Sequence, residues 1–286
     1  MLRAILYYDI FRHPLTLGEV QRLCGFDPAN AVRDLTAAGR MEVNERWLCR
    51  PGGRGQIEGR RIRAKAAERH WPVAMASSAF LARFPWVRGV LVTGSMSKQS
   101  ADPAHVEIDF LVLVEPGRVW TAKSALQGLR RVMPEAGRDL LCTNYLLSVD
   151  SLALPEQNAF TAMELATAVP VYGAGPCTAL LVANAWARRW VPGWDWSLER
   201  AGRAAALPVA RVARAMEAAI GDRFEVASRR AWTTWWDRKY HWLPESVRSQ
   251  RFKRRPEVAT NHLHDFQQYV LDEYHRRLAE EGVPAP

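Results

Sequence analysis

Cysteine is sparse in this chain: Cys24, Cys49, Cys142 and Cys177 are scattered through 286 residues, with no CxxC pair and no histidine at zinc-ligand spacing from any of them. That scatter argues against a cysteine-based metal cluster and reads as reduced, structural thiols. No apolar run reaches about 18 residues, the length a spanning helix needs. Asp9 comes too early in the opening segment for the apolar centre of a secretion signal. A cytoplasmic protein with no membrane partner is the expectation. Lysine is also scarce, and arginine supplies most of the 39 basic residues that stand against 30 acids, for a net charge of +9. Such a balance suits polyanionic partners, nucleic acid or nucleotide phosphates, although an Arg- and Ala-rich composition also follows from a GC-rich genome.

What is present in quantity is apolar residues, 48% of the chain, enough for two or three small domains with cores of their own. Residues 1–51 read as a winged-helix-like module. An apolar helical pattern covers Met1 to Arg12; Thr16 opens a capping box with Glu19 ahead of a helix that ends at Gly25. A third helix runs from Pro28 to Gly39, and residues 41–48 alternate like a two-stranded wing. Asn30 and Arg33 on the third helix suit a DNA groove, but Asp34 offsets the one basic residue there, and packing against a protein partner is the competing use. Residues 52–86 are expected to hold a Gly-rich linker and then a basic helix from Arg60. On it, Arg60, Arg61, Arg63 and Lys65 either form a solvated face or hold phosphates.

Residues 87–155 carry the most informative motif. An apolar strand from Val87 runs into Thr93-Gly94-Ser95, and an apolar strand through Glu107-Ile108-Asp109-Phe110-Leu111-Val112-Leu113-Val114 follows. Strand alternation puts Glu107 and Asp109 on one face, where two carboxylates call for a divalent cation. Gly94 permits a tight turn, and a helix start at Ser95 offers N–H groups to a phosphate.

Gly-Ser followed, after Met96 to Val106, by Glu107-Ile108-Asp109 resembles the nucleotidyltransferase superfamily with the DNA polymerase beta-like fold, whose pattern is Gly-Ser, a spacer, then Asp-x-Asp on the next strand. The chain departs from it at Glu107, where Asp is usual, and at Gln99, where a second Gly is common. In the strand around residues 140–147, Asn144 is the oxygen ligand on offer where the family has a third acid. The resemblance implies transfer of a nucleoside monophosphate from an NTP to an acceptor (nucleic acid, protein or small molecule). Mg²⁺ or Mn²⁺ would be held by Glu107 and Asp109, with Gly94, Ser95, Ser97, Lys98 and Asn144 around the nucleotide. The alternatives are a non-catalytic nucleic-acid-binding regulator and a toxin–antitoxin-type interaction protein, each with a degenerate pocket.

Residues 156–286 read as α-helical. Helices are expected near 158–168, 177–190, 198–220, 222–240 and 265–280, with Gly173 to Pro176, Pro192-Gly193 and Gly221 as breaks. Most of the 12 tryptophans lie here among arginines, including Trp186, Trp190, Trp194, Trp196, Trp232, Trp235, Trp236 and Trp242, and core packing is the favoured reading over base stacking. Arg251, Lys253, Arg254 and Arg255 form a basic cluster that serves either as a solvated linker or as a phosphate clamp. His262 and His264 beside Asp265 offer a weak metal pattern. The whole is an α+β chain: winged-helix-like module, small mixed nucleotidyltransferase core, helical C-terminal region.

Overall fold

A computed structural model describes residues 1–195, 209–261 and 266–285, with side chains for all of these except 136 and 209–220. The part up to residue 208 of the helix expected over 198–220, Trp196, and the His262, His264 and Asp265 pattern lie outside the described residues.

The N-terminal part has the order α1 (Leu2–Asp9), β1 (Leu15–Thr16), α2 (Leu17–Cys24), α3 (Ala29–Ala37), β2 (Glu42–Asn44) and β3 (Trp47–Cys49). Its three strands pair antiparallel in the order β1-β3-β2. The capping box forms: Thr16 Oγ1 accepts from the Glu19 N–H, and the Glu19 carboxylate accepts from the Thr16 N–H at 2.7 Å. Gly25 then ends α2 at φ +74°, where a Cβ would lie 2.9 Å from the Gly193 backbone.

The linker expectation needs correction. A short 3-10 turn at Gly53–Gln56 leads directly into α4 (Ile57–Leu81), which begins before Arg60 and continues through Pro72.

The rest of the chain builds one six-stranded mixed sheet. Its elements are β4 (Val87–Thr93), α5 (Gly94–Ser97), β5 (Asp109–Val114), α6 (Val119–Val132), α7 (Glu135–Arg138), β6 (Cys142–Ser148), α8 (Ala159–Thr167), β7 (Val169–Tyr172) and α9 (Ala174–Ala183). They continue with α10 (Val209–Lys239), α11 (Glu245–Arg251), β8 (Arg254–Arg255), β9 (Val258–Thr260) and α12 (Gln267–Glu280). Strand order is β7-β4-β5-β6-β9-β8, with β5 and β6 parallel and the other pairs antiparallel.

Region 156–286 is therefore not purely helical: it supplies β7, β8 and β9 to both edges of the sheet. These strands span only two to four residues, too short for alternation to show; β7 and β9 are held by partners distant in sequence, and β8 pairs with β9. One expected break fails and another is shorter than expected, confined to Gly173 at φ +77° between β7 and α9. Gly221 lies inside α10, and Gly175 and Pro176 lie within the first turn of α9, where proline's missing N–H costs nothing. Instead α9 stops at Asn184, whose wholly buried amide donates to the carbonyls of Leu152 and Leu180 and accepts from the Leu154 N–H.

Both faces of the sheet are covered, as the unbroken apolar run of β5 requires. Leu91, Leu111, Leu113, Leu147 and Val258 face α1, α2, α8, α9 and α12; Val90, Val92, Phe110, Val112 and Leu146 face α4, α6 and α10. The tryptophans mostly fill these cores: Trp236 is buried among Trp120, Trp232 and Phe252, and Trp194 is buried with Arg188 over its ring. Trp235 is the more exposed of the 235–236 pair and carries Lys239 on its face. Glu225 of α10 caps the start of α6 by accepting from the N–H groups of Trp120 and Thr121 at 2.8 and 2.7 Å. No helix among the described residues is long and apolar enough to cross a membrane.

Candidate functional site

The end of β4 and the start of β5 meet in register, Thr93 opposite Asp109. Immediately after Thr93 the chain turns at Gly94, which has φ +66°. A Cβ on Gly94 would lie 2.3 Å from Asp109 Oδ2, so a side chain is excluded both by the backbone conformation and by the carboxylate behind it. Ser95 and Ser97 lie in the short α5 that follows; the Ser97 hydroxyl donates to the Gly94 carbonyl at 3.0 Å. Gln99 takes φ +52°, the left-handed conformation that glycine adopts without strain.

Glu107 is not on the strand. β5 begins at Asp109, because β4 ends opposite it and no neighbour on that side remains for residues further back. The Ile108 N–H and carbonyl pair instead with the Asp139 carbonyl and the Cys142 N–H. Strand alternation therefore does not set the side chain of Glu107. Its carboxylate lies 3.6 Å from His105 Nε2, and His105 in turn lies 3.7 Å from Asp139 Oδ2. His105, Glu107 and Asp139 bring one ligand atom each within 4.8 Å of one another and can hold a metal ion. Two of the three, His105 and Glu107, are largely exposed. The roles of His105 and Asp139 were not legible in the sequence, because the strand pairing brings them together. Parallel pairing of β5 with β6, Asp109 opposite Cys142, brings together the segments just ahead of both strands.

Asp109 itself is partly buried. Its carboxyl is pushed up to about 6, first by burial and then by the negative charges of Glu107 and Glu164. Lys98 and a hydrogen bond from Asn144 pull the other way; Asn144 Nδ2 donates to Asp109 Oδ1 at 3.0 Å. Asn144 thus holds the acid in place from the neighbouring strand. Its amide oxygen is turned toward the Cys142 thiol at 3.5 Å.

Lys98 lies at the end of α5 and reaches α8. Its ammonium donates to both Glu164 oxygens at 2.8 Å and to the Gly94 carbonyl at 3.3 Å. Glu164 is the residue that sequence reasoning missed here. Asn158 caps α8 by accepting from the Thr161 N–H, which announces the helix, but nothing local connects its sixth residue with a turn 70 positions earlier.

The basic helix turns inward. Arg60 is 1% exposed; its guanidinium donates to His13 Nε2 at 3.0 Å, Glu19 Oε1 at 2.9 Å and the Gln99 carbonyl at 2.8 Å. Arg63 donates to Ser100 Oγ and to the Arg12 carbonyl, and Arg61 pairs with Glu45. Neither a solvated face nor a phosphate clamp describes Arg60. It ties the N-terminal elements to the loop after α5. The C-terminal basic cluster is likewise engaged: Arg254 pairs with Asp237 and Glu245, Lys253 with Glu156, and Arg255 with Glu257.

Comparison with protein families, curated proteins and solved structures finds no match.

Proposed function

We propose that this chain is a divalent-metal-dependent nucleotidyltransferase built on a DNA polymerase beta-like core, moving an NMP from an NTP to an acceptor with release of pyrophosphate. One observation carries the reading: the Thr93-Gly94-Ser95 turn packs against a partly buried, charge-crowded Asp109, with Gly94 leaving room for that carboxylate. The donor chemistry fits Mg²⁺, since Asp109, Glu107 and Glu164 all offer hard carboxylate oxygens. When bound, the ion would lower the pKa of the acceptor and offset charge on the leaving phosphates. Asp109 and Glu107 would hold it, and Asn144 would keep Asp109 oriented by its hydrogen bond. Ser95 and Ser97 would grip the polyphosphate, and Lys98 would supply a point charge.

The regulator reading draws on the N-terminal order of helices and strands, that of a winged helix, and on α3, which has no fully buried residue. Against it, Arg33 is tied to Asn30 at 2.6 Å, and the wing acids Glu42 and Glu45 neutralise Arg54 and Arg61. These pairings reduce the positive charge that α3 and the wing offer to a duplex, which favours the transferase reading.

Isothermal titration of each NTP, with and without Mg²⁺, tests it. Binding that needs the metal and disappears in Asp109→Ala is the expected result. No binding of any NTP, or binding indifferent to Asp109, overturns the proposal.

A further inference from the structure

An ammonium has three N–H donors, and that of Lys98 finds three oxygens: both of Glu164 and the carbonyl of Gly94. The lysine is 15% exposed and Glu164 32%, so this is no ordinary surface ion pair, whose worth is small. Its partners come from the turn beside Asp109 and from a helix 66 positions further along the chain. A cation therefore already sits among the oxygens that border Asp109, and it belongs to the protein.

We propose that Lys98 is a resident counter-ion of the candidate metal site, competing with a divalent ion for Glu164, and that Glu164 is the site's third carboxylate. The inference rests on the reading of Asp109 as a metal ligand. It requires neither turnover nor a particular NTP. While Lys98 holds Glu164, a divalent ion meets fewer free carboxylate oxygens and an unfavourable positive charge. A polyphosphate has the opposite effect: its oxygens attract the ammonium, and Glu164 is released toward the metal. Metal and polyphosphate then favour one another's binding by the same factor, as linkage demands. The ligand class this pairing selects is a metal-complexed polyphosphate rather than a free metal ion or a neutral molecule.

The test is titration of Mn²⁺ alone into the full chain, reading the unbound ion by electron paramagnetic resonance. Wild type, Lys98→Met, Lys98→Gln and the double variant Lys98→Met with Glu164→Gln are compared. Removing the lysine charge should tighten Mn²⁺ binding by about tenfold or more, in the range of ordinary coupling energies, and removing Glu164 as well should cancel the gain. Thermal melts of the same variants establish that each is folded, and having two neutral replacements guards against one of them failing. Affinities within about twofold of wild type in both single variants, or a gain that survives loss of Glu164, overturn the inference. A wild-type protein that binds no NTP with Mg²⁺, together with a lysine variant that binds Mn²⁺ tightly, would remove the transferase reading and the polyphosphate pairing and leave the competition between Lys98 and the divalent ion standing.

Discussion

Two clusters of opposite charges touch the segment from Gly94 to Ser100, Arg60 through the Gln99 carbonyl and Lys98 as a member of it. In the first, Arg60, Glu19 and His13 match one another. Burial pushes the Glu19 carboxyl up, but His13 and Arg60 outweigh it and hold it down at about 2, while burial keeps His13 below its usual value. In the second, Asp109 is crowded by the charges of Glu107 and Glu164, Lys98 opposes them, and Asp109 is left at about 6. Side chains of the same kinds thus give a satisfied structural joint in one place and an under-neutralised acid in the other. An acid kept in deficit of positive charge weakens the fold, a cost typical of functional groups, which is why the second cluster and not the first is read as the site.

The largest way to break the comparison is to remove the balance from the first cluster. Arg60→Met strands Glu19 and His13 in a buried setting and should cost about 3–5 kcal/mol in urea unfolding. A loss under about 1 kcal/mol would show that the joint is not structural.

The second cluster should respond with the opposite sign. The folded carboxyl of Asp109 titrates near 6 against an ordinary value of 3.8, so the folded state holds its proton longer, and ionisation weakens the fold as pH rises through that window. Asp109→Asn should therefore stabilise the protein at pH 7–8 by about 1–2 kcal/mol, discounted for the solvent the group still meets, and the gain should vanish below about pH 4. Glu19 runs the other way: its stabilisation is present above its ordinary value of 4.5 and is lost as pH falls toward 2. Melting curves of wild type and Asp109→Asn from pH 3 to 8 check both slopes, and an unchanged difference across that range would remove the contrast.

The smallest effect sharpens the link between the clusters. Gln99 holds a left-handed backbone at φ +52°, and only its carbonyl serves Arg60. Gln99→Gly should keep that hydrogen bond and relieve the strain, for a gain of about 0.5–1 kcal/mol once the extra freedom of the unfolded chain is counted. A destabilised variant would mean that the Gln99 side chain itself contributes.

Legibility in the sequence followed the range of the interactions. The capping box at Thr16 and Glu19, the Gly25 stop and the Asn158 cap all depend on neighbours within a few residues, and each reads directly from the chain. The apolar runs of β4 and β5 announced two apolar strands, and Gly94 announced the turn that follows the first. The strand start at Asp109 did not read correctly, because it is set by where the partner strand ends. This moved Glu107 from a strand face to a loop beside His105.

Residue type and spacing by themselves determined most helices, the central strands, the Gly94 turn and the presence of an acid on the strand that follows, because each is the outcome of local backbone preference and apolar periodicity. The tertiary structure decided which charges face which. It buried Arg60 against Glu19, brought Glu164 to Lys98 across 66 positions, and set Asp139 beside His105 and Glu107 through the parallel pairing of β5 with β6. Charge is long-ranged and indifferent to sequence order, so the role of an ionisable side chain follows from the company that packing assigns to it.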